Sequence, residues 1–176
     1  VSILIIGDDK YPTENLATDM SSSEYPFGIA AFIPNVISED IDAFRRIICL
    51  IYGTDKAKKQ IGKWATHSKI GTEVALEILQ EKDVMLVNKK HNCCKIKKFL
   101  KENCHYKTVI LLGGEAYKFK NTLEKLSIGL TILSYPHPSE RSGDSIYWRD
   151  IDYIDIGTKY NKKEDLKKVF IIEKNK

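Results

Sequence analysis

Four short apolar runs separated by helical patterns predict an α/β chain: a three-layer α/β/α arrangement around a central four-stranded parallel sheet. The runs are Ser2 to Ile6, Val84 to Val87, Thr108 to Leu112 and Leu130 to Leu133. Each is continuously apolar rather than alternating, which is how strands covered on both faces read. Their alternation with helical segments implies parallel βαβ units with right-handed crossovers.

After the first run comes a long connection, Tyr11 to Asn35, with Pro12, Pro26, Pro34 and a Ser21-Ser22-Ser23 run. Connections of that length are often functional. Ser38 is the expected N-cap of the first helix, with Glu39 and Asp40 in its first turn. Ile41, Phe44, Ile47, Ile48 and Ile51 then mark one face, and Gly53 is the stop. Thr72 to Glu81 presents Val74, Leu76, Ile78 and Leu79 as a second helical face, and Asn92 to Glu102 and Glu115 to Leu126 fill the later crossovers. In the tail beyond Ser142, Val169 to Glu173 reads as an added strand. No internal repeat or low-complexity tract interrupts the pattern.

At 176 residues a single domain, 1–176, with its own core is expected. A composition of 43% hydrophobic and 30% charged residues is that of a globular protein, and the net charge of +4 suits a polyanionic partner without requiring one. Lysines gather at Lys56, Lys58, Lys59 and Lys63, at Lys89 and Lys90, and at Lys95, Lys97, Lys98 and Lys101. Such runs read either as solvated helix faces or as a rim facing phosphates. Cys49, Cys93, Cys94 and Cys104 match no zinc or iron–sulfur spacing, so free thiols and no metal are expected, although His91 and His105 flank three of them. Val1 to Ile6 is too short for a signal peptide, and no stretch reaches transmembrane length. The expectation is a cytoplasmic protein, or a nuclear one in a eukaryote, monomeric and without a membrane partner. The chain opens on Val inside a strand pattern, which leaves room for residues upstream.

In an open parallel sheet, ligands bind beyond the carboxyl ends of the strands. Gly7-Asp8-Asp9-Lys10-Tyr11-Pro12 follows the first run, Asn88 ends the second, and His137-Pro138-Ser139 follows the fourth. Taken singly, these residues have plain structural readings. Asp8 and Asp9 cap a turn, Tyr11 is a core aromatic, Asn88 makes a local turn and His137 sits in a proline-rich loop. Taken together, they bring a carboxylate, a phenol, an amide and an imidazole to one edge of the sheet, a set suited to acid–base chemistry on a small polar ring.

Four elements of the chain, in order, resemble the motifs of the uracil-DNA glycosylase superfamily. Gly7-Asp8-Asp9-Lys10-Tyr11-Pro12-Thr13 is similar to its water-activating Gly-Gln-Asp-Pro-Tyr motif, and Ala17 to Ser23 to the Gly-Leu-x-Phe-Ser segment that follows. Met85-Leu86-Val87-Asn88 resembles its Leu-Leu-Leu-Asn strand, Val109 to Ala116 its third strand and turn, and His137 to Ser142 its His-Pro-Ser-Pro-Leu-Ser loop. The resemblance spans roughly positions 3 to 142 and implies the family fold and a monofunctional DNA glycosylase of base excision repair, needing no cofactor. It implies that Asp9 activates the attacking water and stabilises the cationic sugar, and that His137 donates to the oxygen of the departing base. Tyr11 would exclude a thymine methyl, and Asn88 would read the pyrimidine edge. Ser139 and Ser23 would hold phosphates, with Lys10, Lys89, Lys90 and Arg141 on the DNA-facing loops. The chain departs from the pattern at Lys10, where the family has Pro, and at Arg141, where it has a wedging Leu, though single-strand-selective relatives carry Arg there. Ser22 stands where a Phe stacks on uracil, and Tyr25 or Phe27 would replace that ring if the long loop folds inward. The loop after Asn88 is also shortened to Lys89-Lys90-His91.

Two other readings stand beside it. One is a glycosylase-like DNA-binding protein with little or no catalysis. The other is a nucleotide-handling α/β enzyme such as a deoxyribosyltransferase, for which Glu115 is the further carboxylate available as nucleophile.

Overall fold

Continuous apolar runs become fully buried strands. In the computed structural model, which describes residues 2–7, 25–28 and 30–139, β1 (Ser2–Gly7) and β2 (Val84–Asn88) are buried at every position. With β3 (Tyr106–Leu112) and β4 (Thr131–Tyr135) they form one parallel sheet in the order β2-β1-β3-β4. The register pairs Gly7 with Asn88, Ile6 with Leu111, and Leu112 with Tyr135, so the strands end level along one edge.

Among the described residues, three helices lie between β1 and β2: α1 (Asp42–Tyr52), α2 (Thr54–Thr66) and α3 (Gly71–Lys82). The β2-to-β3 crossover carries α4 (Cys93–Glu102), and β3 to β4 carries α5 (Gly114–Tyr117) and α6 (Lys120–Glu124). The step from β1 to β2 runs in one direction across the sheet and the next two run in the other. Right-handed crossovers then place α1–α3 on one face and α4–α6 on the opposite one, giving the three layers. Phe44 and Tyr52 of α1 pack on Trp64 of α2, with centroids 6.3 and 5.9 Å apart. On α4, Ile96 and Leu100 enter the core, and Phe99 meets Tyr106 at 5.1 Å.

The strands extend one or two residues beyond the apolar runs, except that Leu130 lies just outside β4. The helices differ more. Ser38 is not the cap of α1: its hydroxyl joins Asp40 in a separate turn, and the helix starts at Asp42. α2 is not among the helices expected from apolar spacing, but the run Lys56, Lys58, Lys59 and Lys63 does lie on a helix, one of its two readings, with Ala57, Ile61 and Trp64 recurring on the buried face. The segment from Glu115 to Leu126 is two short helices rather than one. At the join, Phe119 N–H bonds to Ala116 C=O and Thr122 N–H to Phe119 C=O, a tighter winding that buries the Phe119 ring. The strand expected at Val169 to Glu173 lies outside the described residues.

The described part of the long connection folds inward against the outer edge of β2. Tyr25 is fully buried, and its hydroxyl donates to the Leu86 carbonyl while accepting from the Leu86 N–H at 3.0 Å. Ala31 N–H reaches the same carbonyl at 3.3 Å. Burial raises the Tyr25 phenol well above its ordinary value, so it remains a donor.

Candidate functional site at the carboxyl edge of the sheet

Gly7 ends β1 and lies beside Asn88, the last residue of β2. Asn88 is almost wholly buried, its carbonyl accepts from the Asn92 amide at 3.0 Å, and the following Lys89 N–H bonds back to the Gly7 carbonyl at 2.9 Å. These bonds fix the position at which β2 leaves the sheet. The Asn88 side chain is an uncharged amide, with an oxygen that accepts and a nitrogen that donates.

Across Gly7 lies Phe32. A Cβ on residue 7 would stand 2.6 and 2.8 Å from two of its ring carbons, which is why this position is glycine. Phe32 itself has φ of +64°, the left-handed region, where a bulky side chain is strained. That backbone setting brings the ring to the end of β1 and, on its other side, within 5.5 Å of the His137 ring.

His137 stands two residues beyond β4 and is half-buried. Across the sheet edge it packs against Gly113, just past β3, where a Cβ would lie 3.3 Å from the His137 Cβ. Gly113 has φ of +98°, so glycine is favoured here both by the backbone and by the closeness of His137, and its N–H donates to the Tyr135 carbonyl at 2.9 Å. The imidazole is oriented from its own loop: Ser139 N–H meets Nδ1 at 3.1 Å. A backbone N–H can only donate, so Nδ1 is the acceptor and the ring proton sits on Nε2. From α1, Arg46 donates through Nη1 to the Pro138 carbonyl at 2.6 Å, anchoring the loop between His137 and Ser139.

Asn88, His137 and Ser139 therefore share the carboxyl edge, as the sequence suggested. The other expected residues divide. Asp9, Lys10, Tyr11, Ser22, Ser23 and Arg141 lie outside the described residues. Tyr25 and Phe27 do fold inward but are engaged elsewhere: the Tyr25 hydroxyl holds the edge of β2, and Phe27 packs edge-on to Phe99 at 5.1 Å. The aromatic ring that does stand beside His137 is Phe32, which the sequence reading missed. Its one sequence signal was its place in the long connection, among the small residues Gly28, Ala30 and Ala31.

Lys89 serves as a strut rather than an open charge. Its ammonium donates to the Glu115 carbonyl at 2.7 Å and lies 3.7 Å from the Glu115 carboxylate, linking the ends of the two strands that flank β1. Lys118 also pairs with Glu115, and the two ammonium groups, Lys118 foremost, hold that carboxyl below its ordinary range. Glu115 is thus a paired surface carboxylate. Lys90 is exposed.

No group of three or more His, Cys, Asp or Glu side chains among the described residues is arranged to hold a metal ion. The cysteines Cys49, Cys93, Cys94 and Cys104 are free thiols. No helix among the described residues is long and apolar enough to cross a membrane. Comparison with protein-family models, with curated proteins and with solved structures found no match to this chain.

Proposed function

We propose that this chain is a monofunctional DNA glycosylase of the uracil-DNA glycosylase kind, which hydrolyses the N-glycosidic bond of uracil, or a related damaged or modified base, flipped out of DNA. The observation that carries the reading is the tautomer of His137. Breaking the bond leaves an anionic base and a cationic sugar, so the site needs a fixed donor for the one and a carboxylate for the other. With Nδ1 occupied by Ser139 N–H, His137 has its N–H at Nε2, the donor that a departing base oxygen requires. Phe32 supplies an apolar face beside it, and Asn88 supplies the amide that reads the base edge. Asp9, two residues past Gly7, provides the carboxylate that positions water and stabilises the sugar. A base within a duplex is out of reach of such a pocket and must be extruded first, most cheaply when mispaired.

The test is direct. The protein is incubated with matched oligonucleotides carrying uracil, cytosine or thymine at one position, and abasic sites are cleaved with alkali. Release of uracil, abolished in Asp9→Asn with DNA binding retained, is the expected result. Binding without release of any base would leave a glycosylase-like DNA-binding protein, and neither binding nor release would remove both readings.

A further inference from the structure

A groove with a volume of about 710 Å³ lies away from the strand-end site, between α4 and the end of α6. Cys94, Lys97, Lys98 and Lys101 form one wall, and Thr122, Lys125 and Leu126 the other. On α4 these positions recur at i, i+3, i+4 and i+7, a stripe ~10 Å long at the rise of an α-helix. Ile96 and Leu100 occupy the core, so the lysines are not needed for packing. Lys98 has a carboxylate at 3.8 Å, that of Glu102, but among the described residues none lies within ion-pair range of Lys97, Lys101 or Lys125. Like charges spaced three and four residues apart on a helix repel each other. The fold holds this unfavourable arrangement around a concave surface.

The groove also has a direction. α4 starts five residues beyond Asn88, and Asn92, just before it, bonds to the Asn88 carbonyl. Its lysine stripe therefore leads from the carboxyl edge of the sheet along one side of the molecule. We infer that this groove binds the phosphate backbone of a nucleic-acid strand flanking the nucleotide held at the strand ends. The inference rests on the proposed glycosylase reading and names where the rest of the substrate lies. Lysine, a point charge on a flexible stem, suits contacts of this sequence-independent kind.

The experiment uses the full chain and a fluorescent oligothymidine of about 20 nucleotides, which carries no base to be excised. Its affinity is followed by anisotropy between roughly 50 and 200 mM salt. The variant carrying Lys97→Gln, Lys98→Gln, Lys101→Gln and Lys125→Gln is expected to flatten the slope of log affinity against log salt by about 0.7 per lysine removed. In the wild type, alkylation of Cys94, read by mass spectrometry, is expected to slow when oligothymidine is bound. An unchanged slope together with unprotected Cys94 overturns the proposal, as does protection of Cys94 by anionic phospholipid vesicles but not by oligothymidine. A uracil-containing trinucleotide, too short to reach the groove, separates the two ideas. Protection of Cys94 without uracil release from any substrate keeps the groove and removes the glycosylase. Equal release from short and long substrates by variant and wild type keeps the glycosylase and removes the groove.

Discussion

The ring of Phe32 occupies the space that a side chain on Gly7 would need, at 2.6 Å from the nearest ring carbon to the ideal Cβ. The end of β1 and the aromatic face beside His137 are therefore set by one contact. Gly7→Ala should push the ring aside, with an overpacking cost of about 1–3 kcal/mol and about a hundredfold loss in single-turnover rate if the pocket shifts by an ångström. Adding Phe32→Leu should restore the denaturation midpoint but not the rate. Recovery of both would show that the ring only fills space.

The bond from Ser139 N–H to His137 Nδ1 allows a test of the tautomer that leaves the imidazole itself in place and compares two variants that both lack the Ser139 hydroxyl. Ser139→Pro removes the donor, and Ser139→Ala keeps it. Nitrogen NMR of His137 should show the Nε2–H form in the wild type and in Ser139→Ala, and a mixture in Ser139→Pro. The excision rate should follow the tautomer. His137→Ala, which removes the donor altogether, should cost about 3 kcal/mol of transition-state stabilisation.

Arg46 reaches the Pro138 carbonyl from a helix 92 residues earlier in the chain. Arg46→Met keeps much of the side-chain volume and loses the bond. The expected outcome is a fall in kcat of about ten- to a hundredfold with KM little changed, because the loop that carries His137 loses its registration. Arg46→Lys, which retains a donor, should recover part of it. A change in KM alone would place Arg46 in substrate binding instead.

The sheet was legible because burial on both faces leaves its mark in consecutive apolar residues, and all four runs became strands in one parallel sheet. α2 was not, since its buried positions Ala57, Ile61 and Trp64 are diluted among lysines and its apolar face is narrow. At the site, Asn88 and His137 were legible from their place directly after apolar runs. Phe32 was not, because its position depends on a left-handed backbone and on contact with Gly7, which is distant in sequence. Lys89 looked like an open charge because its partner Glu115 comes from another crossover.

Glu77 joins α3 to α2. Burial raises its carboxyl, but the hydrogen bond from Lys69 and the nearby Lys63 ammonium outweigh this and leave the pKa lowered. A carboxylate favoured by folding contributes stability that is present above its unfolded pKa. That stability is lost as pH falls through the lower, folded value. Urea midpoints of the wild type should thus decline through the acid carboxylate range, while Glu77→Gln should start lower at neutral pH and decline less. Parallel curves for the two proteins would assign the acid sensitivity to other groups.

Tyr25 meets both backbone groups that Leu86, in the middle of β2, turns outward, using a single oxygen as both donor and acceptor. An open strand edge is a template on which a second chain can pair. The phenol is thus a guard against self-association at one of the two edges of the sheet. Phenylalanine at this position would keep the packing and expose the template, so the cost would emerge as aggregation during refolding at high protein concentration as well as lost stability.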